Sequence, residues 1–151
     1  MNLQEIQKNI KIIVSSSLYD GDFGDTISKS ILSKSGISKD ILQNEYLSNY
    51  YYFLEKIGYG ELDASFYIED APIKSFQIYG NDRKHLKHLY IFATNMSEYS
   101  YAFDLKNKCK VLDIDSSGDI INSDYGSFDD FIERKIKELV KIVKWREQDL
   151  S

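Results

Sequence analysis

The sequence predicts an α+β domain in which N-terminal helices precede an antiparallel, mostly meander sheet of about five to six strands. A long C-terminal helix is expected to pack on that sheet. Apolar residues recur at three- and four-residue steps before residue 58 and after residue 127, whereas short aromatic-rich or alternating runs fill the segment between. Strands joined by brief turns pair antiparallel, and we interpret residues 1–151 as a single domain.

The N-terminal segments predict three helices. Leu3–Val14 carries one apolar stripe. Asp25 is expected to cap a short second helix. A longer third helix is predicted over residues 38–57, with Ser38 as its cap and Gly58 at its end, because glycine readily adopts the left-handed conformation of a helix terminus.

After residue 60 the sequence pattern changes from one typical of helices to one typical of strands. Pro72, the one proline of the chain, falls between the first two expected strands, where a missing amide donor does the least harm. The polar residues 81–87 form a connection, and residues 106–108 form a turn. Strands are expected at residues 62–68, 73–79, 89–93, 99–105 and 111–114.

The C-terminal helix has the clearest signature. Ser127 and Asp130 have the spacing of a capping box, in which each residue satisfies a backbone N–H of the other. Basic residues fall near the negative end of the helix dipole. A continuous apolar stripe follows the cap: Phe128, Phe131, Ile132, Ile136, Leu139, Val140 and Val143.

Charge and cysteine content narrow the class of partner. The net charge of −5 argues against direct nucleic-acid binding. Residues 98–133 carry nine acidic and three basic side chains, which gives −6, so a basic partner is expected there. With one cysteine, no recognisable leader and no apolar run long enough to span a bilayer, we expect a cytoplasmic protein with no membrane association.

Several segments together resemble the SUKH superfamily (Smi/Knr type) of bacterial immunity proteins. The run from Tyr50 to Gly60 resembles its helix and glycine-bearing turn, and residues 90–95 and 99–105 resemble its paired central strands. Residues 111–115 and 127–132 resemble its next strand and the start of its terminal helix. The resemblance covers roughly residues 46–135 in the same order and spacing.

The resemblance implies a fold of helices flanking a sheet and a function in binding. Such a protein neutralises a cognate polymorphic toxin, typically a basic nuclease domain, by occluding its active groove. It is not an enzyme and has no cofactor, and it acts as a monomer or homodimer. A regulatory scaffold of the same fold is the alternative. We expect the toxin to contact the acidic zone, at Glu98, Tyr99, Asp113, Asp115 and Asp119.

A calcium-binding module is a further alternative. Residues 113–124 match a calcium loop at its first, third, fifth and sixth positions. Two features argue against it: the last position is Asp124 where a glutamate is preferred, and the incoming segment is predicted to be a strand. An acidic hairpin turn explains the same residues.

The enzyme signals are incomplete. His85 and His88 have a metal-ligand spacing, but the flanking Lys84 and Lys87 would repel a cation. Cys109 lies between two lysines that are expected to lower its pKa, yet no partner base or oxyanion loop accompanies it, so ordinary packing in a strand is the interpretation.

Overall fold

The computed structural model describes residues 1–149 and has five strands and six α-helices in them. The helices are α1 (Leu3–Val14), α2 (Lys29–Lys34), α3 (Lys39–Leu42), α4 (Ser48–Lys56), α5 (Phe76–Tyr79) and α6 (Phe128–Asp149). The strands are β1 (Gly60–Asp63), β2 (Phe66–Lys74), β3 (Leu89–Thr94), β4 (Ser100–Asp104) and β5 (Lys110–Ile114).

The strands form one antiparallel sheet in the order β1-β2-β3-β4-β5. Each strand pairs with its neighbour in sequence. The β1–β2, β3–β4 and β4–β5 connections are too short to carry a crossover, and the longer β2–β3 connection returns antiparallel as well. The predicted α+β architecture, with a meander sheet and a long C-terminal helix, is therefore confirmed.

The two faces of the sheet bury two unequal cores. Successive strand side chains point to opposite faces, so Phe103 and Val111 join the larger core under α1, α4 and α6. Ala102 and Leu112 join a smaller core on the other face, together with Leu86. The segment between β2 and β3 covers that second face. The sheet is therefore buried on both sides at β4 and β5.

Helix α6 begins at its predicted cap, and α1 also begins at a side-chain cap. The Ser127 hydroxyl accepts from the Asp130 N–H, and the Asp130 carboxylate accepts from the Ser127 N–H, both at 3.3 Å. The Asn2 side chain caps α1 by accepting from the Glu5 N–H at 3.2 Å. Among residues 1–149, no helix combines the length and apolar character needed to cross a bilayer.

Two helix predictions need correction. Ser28 caps α2 in place of Asp25, whose carbonyl accepts from the Tyr59 N–H at 2.9 Å. The helix expected over residues 38–57 is broken into α3, a 3-10 turn and α4. Asn44 causes the break, because its side chain accepts from the Tyr46 N–H at 2.9 Å and offers the backbone an alternative to the helical bond. Gly58 ends α4 as predicted, with φ +136°.

The strand expected over residues 73–79 is wrong. Residues 76–79 form α5, which Gly80 ends at φ +85°. Pro72 lies within β2 instead of between strands, in the stretch between Ile68 and Ile73 where the pairing with β3 shifts register. A proline is tolerated there because the regular ladder is already interrupted.

Candidate functional site

One end of the sheet carries a cavity of about 590 Å³, which we call the tyrosine cavity. Thr94, Ser100 and Ile114 form one cross-strand row, so the β3–β4 turn and the loop after β5 leave the sheet side by side. Helix α6 forms the remaining wall. The side chains used below line this cavity: Asn95, Tyr99, Tyr101, Asp113, Asn122, Tyr125, Phe131, Arg134 and Lys135.

Asp113 is the buried carboxylate of the tyrosine cavity. Its residue is 1% exposed, and it is the cross-strand partner of Tyr101. The carboxylate accepts hydrogen bonds from the Asn122 backbone N–H at 2.7 Å, from the Asn122 side-chain amide at 3.2 Å and from the Tyr125 hydroxyl. A buried charge requires such donors. These three bonds fasten the loop of residues 115–125 to β5.

Tyrosine rings surround that carboxylate. Tyr99 and Tyr101 meet edge to face with their centroids 5.7 Å apart, and Tyr101 and Tyr125 do so at 6.3 Å. Phe131 of α6 lies 5.3 Å from Tyr125. Burial, reinforced by the neighbouring Asp113 carboxylate, raises the pKa of Tyr99 and Tyr125 well above its usual value. Both hydroxyls therefore stay neutral at physiological pH and can donate hydrogen bonds.

Helix α6 adds two cations to the wall. The Arg134 guanidinium donates to the Tyr125 carbonyl at 3.1 Å and stacks 5.6 Å from the centre of the same ring. The Lys135 ammonium lies 5.4 Å from the centre of Tyr101 and 5.6 Å from that of Phe66. These cation–π contacts fix the rings against α6. The cavity thus offers aromatic faces and charges of both signs.

The β3–β4 turn places Glu98 at its tip. The Asn95 side-chain oxygen accepts from the N–H groups of Ser97 and Tyr99, at 2.9 and 3.0 Å. Glu98 has φ +61°, and its side chain is exposed. It lines a second cavity of about 340 Å³ on the other side of the turn, together with Ser116. The turn therefore separates two adjacent concave surfaces.

All five predicted contact residues lie at this end of the sheet. Tyr99 and Asp113 lie in the tyrosine cavity, whereas Glu98, Asp115 and Asp119 lie on the turns beside it. Asp113, which was expected to meet the toxin, is buried, and its carboxylate accepts internal hydrogen bonds. Asp115 is half-buried and accepts from two N–H groups of its own turn, at 2.9 and 3.0 Å. Asp119 is exposed.

Sequence reasoning missed several residues of the cavity. Tyr101 alternates with small residues in a predicted strand, which indicates one distinctive face but not the neighbours of that face. Tyr125 and Asn122 fall in a loop whose path depends on Asp113. Arg134 and Lys135 look like ordinary polar positions of α6, and only the docking of that helix brings them to the cavity.

In the calcium loop considered above, the side chain at the first ligand position already makes hydrogen bonds within the protein. Asp113 would be the first ligand, but both of its oxygens accept hydrogen bonds from within the protein. The backbone of residues 119–122 folds back on β5, with the Ile121 N–H donating to the Asp113 carbonyl at 3.1 Å. Among residues 1–149, no group of three or more His, Cys, Asp or Glu side chains is placed to hold a metal ion.

Cys109 and the two histidines serve separate local contacts. Cys109 lies just before β5, not within a strand, at φ +56°. Burial raises the pKa of its thiol to about 11, which corrects the expectation that the flanking lysines lower it. His85 lies 2.9 Å from the Gly118 carbonyl, whereas His88 lies 3.3 Å from the Asp104 carboxylate.

Comparisons of this chain with models of known protein families, with curated proteins and with solved structures find no match.

Proposed function

We propose that this chain is an immunity protein that binds a basic toxin domain of the nuclease class. It occludes the cationic active groove of that domain with the tyrosine-cavity end of its sheet. The observation that carries the proposal is the pairing of a tyrosine-lined cavity with exposed carboxylates on the turns that border it. Aromatic anchors supply affinity at protein interfaces, and complementary charge supplies encounter rate and specificity.

The acidic zone of residues 98–133 supports this location because its carboxylates divide into two groups. Five have partners inside the protein: Asp104 with His88, Asp113 with Tyr125, Asp129 with Asn49, Asp130 with Ser127 and Glu133 with the Asn2 N–H. The other four make no ion pair within residues 1–149, although Asp115 accepts from two N–H groups of its own turn, and they lie on the turns around the tyrosine cavity: Glu98, Asp115, Asp119 and Asp124.

The tyrosines are suited to act as anchors. Tyr99 and Tyr125 are half-buried, so each keeps part of its ring available while the rest is held by Tyr101 and Phe131. A ring that is already fixed loses little conformational entropy when a partner covers it. Arg134, stacked on Tyr125, would restrict the approach of a basic partner to the acidic side of the cavity.

The architecture is compatible with the resemblance. The resemblance to the SUKH superfamily implies a sheet flanked by helices, and this chain has such a sheet. Among the described residues, the acidic side chains at the sheet end also give a reason for toxin binding that does not depend on the resemblance.

The test is a calorimetric titration with the C-terminal domain of the toxin-like protein encoded beside this gene. We expect one-to-one nanomolar binding and loss of the toxin's activity at equimolar ratio. The double variant E98Q/D119N should weaken binding at low salt, and the control Asp40→Asn should not, because α3 contributes no lining residue to the tyrosine cavity or its neighbours. An absence of binding at low and high salt would overturn the proposal in favour of the regulatory scaffold.

A further inference from the structure

A second concave region lies between the end of β2, α5 and the connection to β3. Its cavity of about 310 Å³, which we call the basic cavity, shares no lining residue with the tyrosine cavity. Residues 74–88 carry four basic side chains and one acidic side chain, in a chain whose net charge is −5. Lys74, Arg83 and Lys87 line the basic cavity, and no carboxylate does.

These three cations make no ion pair in the described part of the chain. Within residues 1–149, none of them makes an ion pair or a side-chain hydrogen bond. Arg83 differs in this from the other two arginines, since Arg134 donates to the Tyr125 carbonyl and Arg146 pairs with Asp63. Three uncompensated cations around one concavity create a local field that favours a polyanionic group such as phosphate.

The cations are held in place by the packing of this segment. The buried Ser75 hydroxyl donates to the Leu86 carbonyl at 2.6 Å, which ties the start of the segment to its end. Arg83 packs over Gly118, where an added Cβ would lie 3.5 Å from the guanidinium. The Asn81 amide lines the same cavity and adds a neutral donor. Lys74, Arg83 and Lys87 are therefore presented together.

An aromatic cavity adjoins the basic cavity. Its volume is about 330 Å³, and it shares Lys74, Phe76 and Tyr90 with the basic cavity. Its other walls include Ile37 and Pro72. Phe76 is 48% exposed, so its ring is accessible to a ligand. The pair of cavities thus places an aromatic and apolar surface directly beside a cationic one.

We propose that the two cavities together bind a nucleoside phosphate. Arg83, Lys87 and Lys74 would bind the phosphoryl oxygens, and Phe76 and Tyr90 would contact the base. Stacking of a base on an aromatic ring and charge-assisted bonds to phosphate are the two interactions that recognise this class of ligand. The basic cavity shares no lining residue with the tyrosine cavity, although Arg83 also packs over Gly118 in the turn between Asp115 and Asp119. Nucleotide binding is measured without the toxin, so the two proposals are tested separately.

Calorimetric titration of the full chain with the four ribonucleoside 5′-monophosphates tests the proposal, with adenosine and inorganic phosphate as partial ligands. We expect at least one monophosphate to bind in the millimolar range or tighter, and to bind more tightly than either partial ligand. Arg83→Ala and Lys87→Ala should each weaken it about tenfold, which corresponds to one charge-assisted hydrogen bond. Phe76→Ala should weaken it as well, whereas Lys141→Ala, an exposed lysine of α6, should not.

Any one of three results would overturn the assignment. Either no monophosphate binds at millimolar concentration, or adenosine binds as tightly as adenosine monophosphate, or inorganic phosphate binds as tightly as the monophosphate. Thermal unfolding of each variant checks that its fold is intact. A 5′-phosphorylated RNA tetramer and its 5′-hydroxyl counterpart distinguish the source of the same chemistry. Tighter binding of the phosphorylated tetramer than of the monophosphate would assign the site to an RNA end, and equal or weaker binding would assign it to a free nucleotide.

Discussion

Replacing Asp113 by alanine removes the carboxylate that fastens the 115–125 loop to β5. In the native protein this carboxylate accepts from the Asn122 backbone N–H, the Asn122 side-chain amide and the Tyr125 hydroxyl. All three donors lose their partner in the variant. The loop that carries Asp119 and Tyr125 then keeps only backbone bonds to the strand at this position, from the Ile121 N–H to the carbonyl of residue 113 and from the N–H of residue 113 to the Asn122 carbonyl.

The magnitude follows from the donors left without an acceptor. A hydrogen bond to a charged group contributes about 1.5–3 kcal/mol. The Asn122 side chain is exposed and can turn to water, so we count two bonds at the low end of that range and expect a loss of about 3 kcal/mol. For a chain of 151 residues this lowers the unfolding temperature by about 6–12 °C.

Urea unfolding followed by circular dichroism measures this loss, and the slope m should stay unchanged. Tyr125→Phe should cost about 1 kcal/mol, and the double variant with Asp113→Ala should lose less than the sum of the single variants. Asp124→Ala is the matched control, because it removes an exposed carboxylate of the same loop and should stay within about 0.5 kcal/mol of the native protein. If Asp113→Ala behaves like Asp124→Ala, the anchoring role assigned to Asp113 is wrong.

Three further predictions concern other groups. Burial raises the pKa of Cys109 from 9.0 to about 11, so the thiol's stabilising contribution is complete below pH 9 and is lost as the pH rises towards 11. In urea titrations, the unfolding free energy of Cys109→Ala should therefore fall less steeply at alkaline pH than that of the native protein. An equally steep fall would contradict this. Burial raises the pKa of Asp63, but the hydrogen bonds from Ser65 and Arg146 outweigh burial, so this pKa lies below its usual 3.8. Arg146→Ala should cost about 1 kcal/mol of stability at neutral pH, and this difference should fade as the pH falls below 3.8. A difference that does not change with pH would count against the ion pair. Calorimetry with calcium should give no heat and no shift in unfolding temperature, whereas a saturable signal would restore the calcium hypothesis for residues 113–124.

The terminal helices are predictable from sequence because each carries an apolar stripe, and in α6 a cap signal agrees with it. An apolar stripe gives the helical period, and a side-chain cap gives the first residue, as in Ser127 with Asp130. The segment 38–57 keeps a helical apolar stripe, but Asn44 interrupts the helical backbone hydrogen bonds. An apolar stripe in the sequence does not reveal such a break. Residues 76–79 have strand-like composition, yet tertiary contact between Ser75 and Leu86 fixes a turn of helix.

The site was predictable only in part. An acidic zone with Glu98 and Tyr99 at its start indicates the end of the sheet at which the tyrosine cavity lies. The pairing of Tyr101 with Asp113 depends on the register between β4 and β5. That register is set by a turn in which Lys108 and Cys109 both have a left-handed backbone conformation. Neither lysine nor cysteine predicts this conformation from sequence. The register therefore could not be derived from the residue pattern.

The central claim, that the acidic turns and tyrosines at this sheet end bind a basic toxin domain, is tested most directly by the salt dependence of that binding. The dissociation constant of the native chain for the neighbouring toxin domain should rise steeply between low and high salt. For E98Q/D119N the rise should be smaller, and for Asp40→Asn it should match the native chain. Equal salt dependence in all three proteins, or no binding in any, would contradict the account.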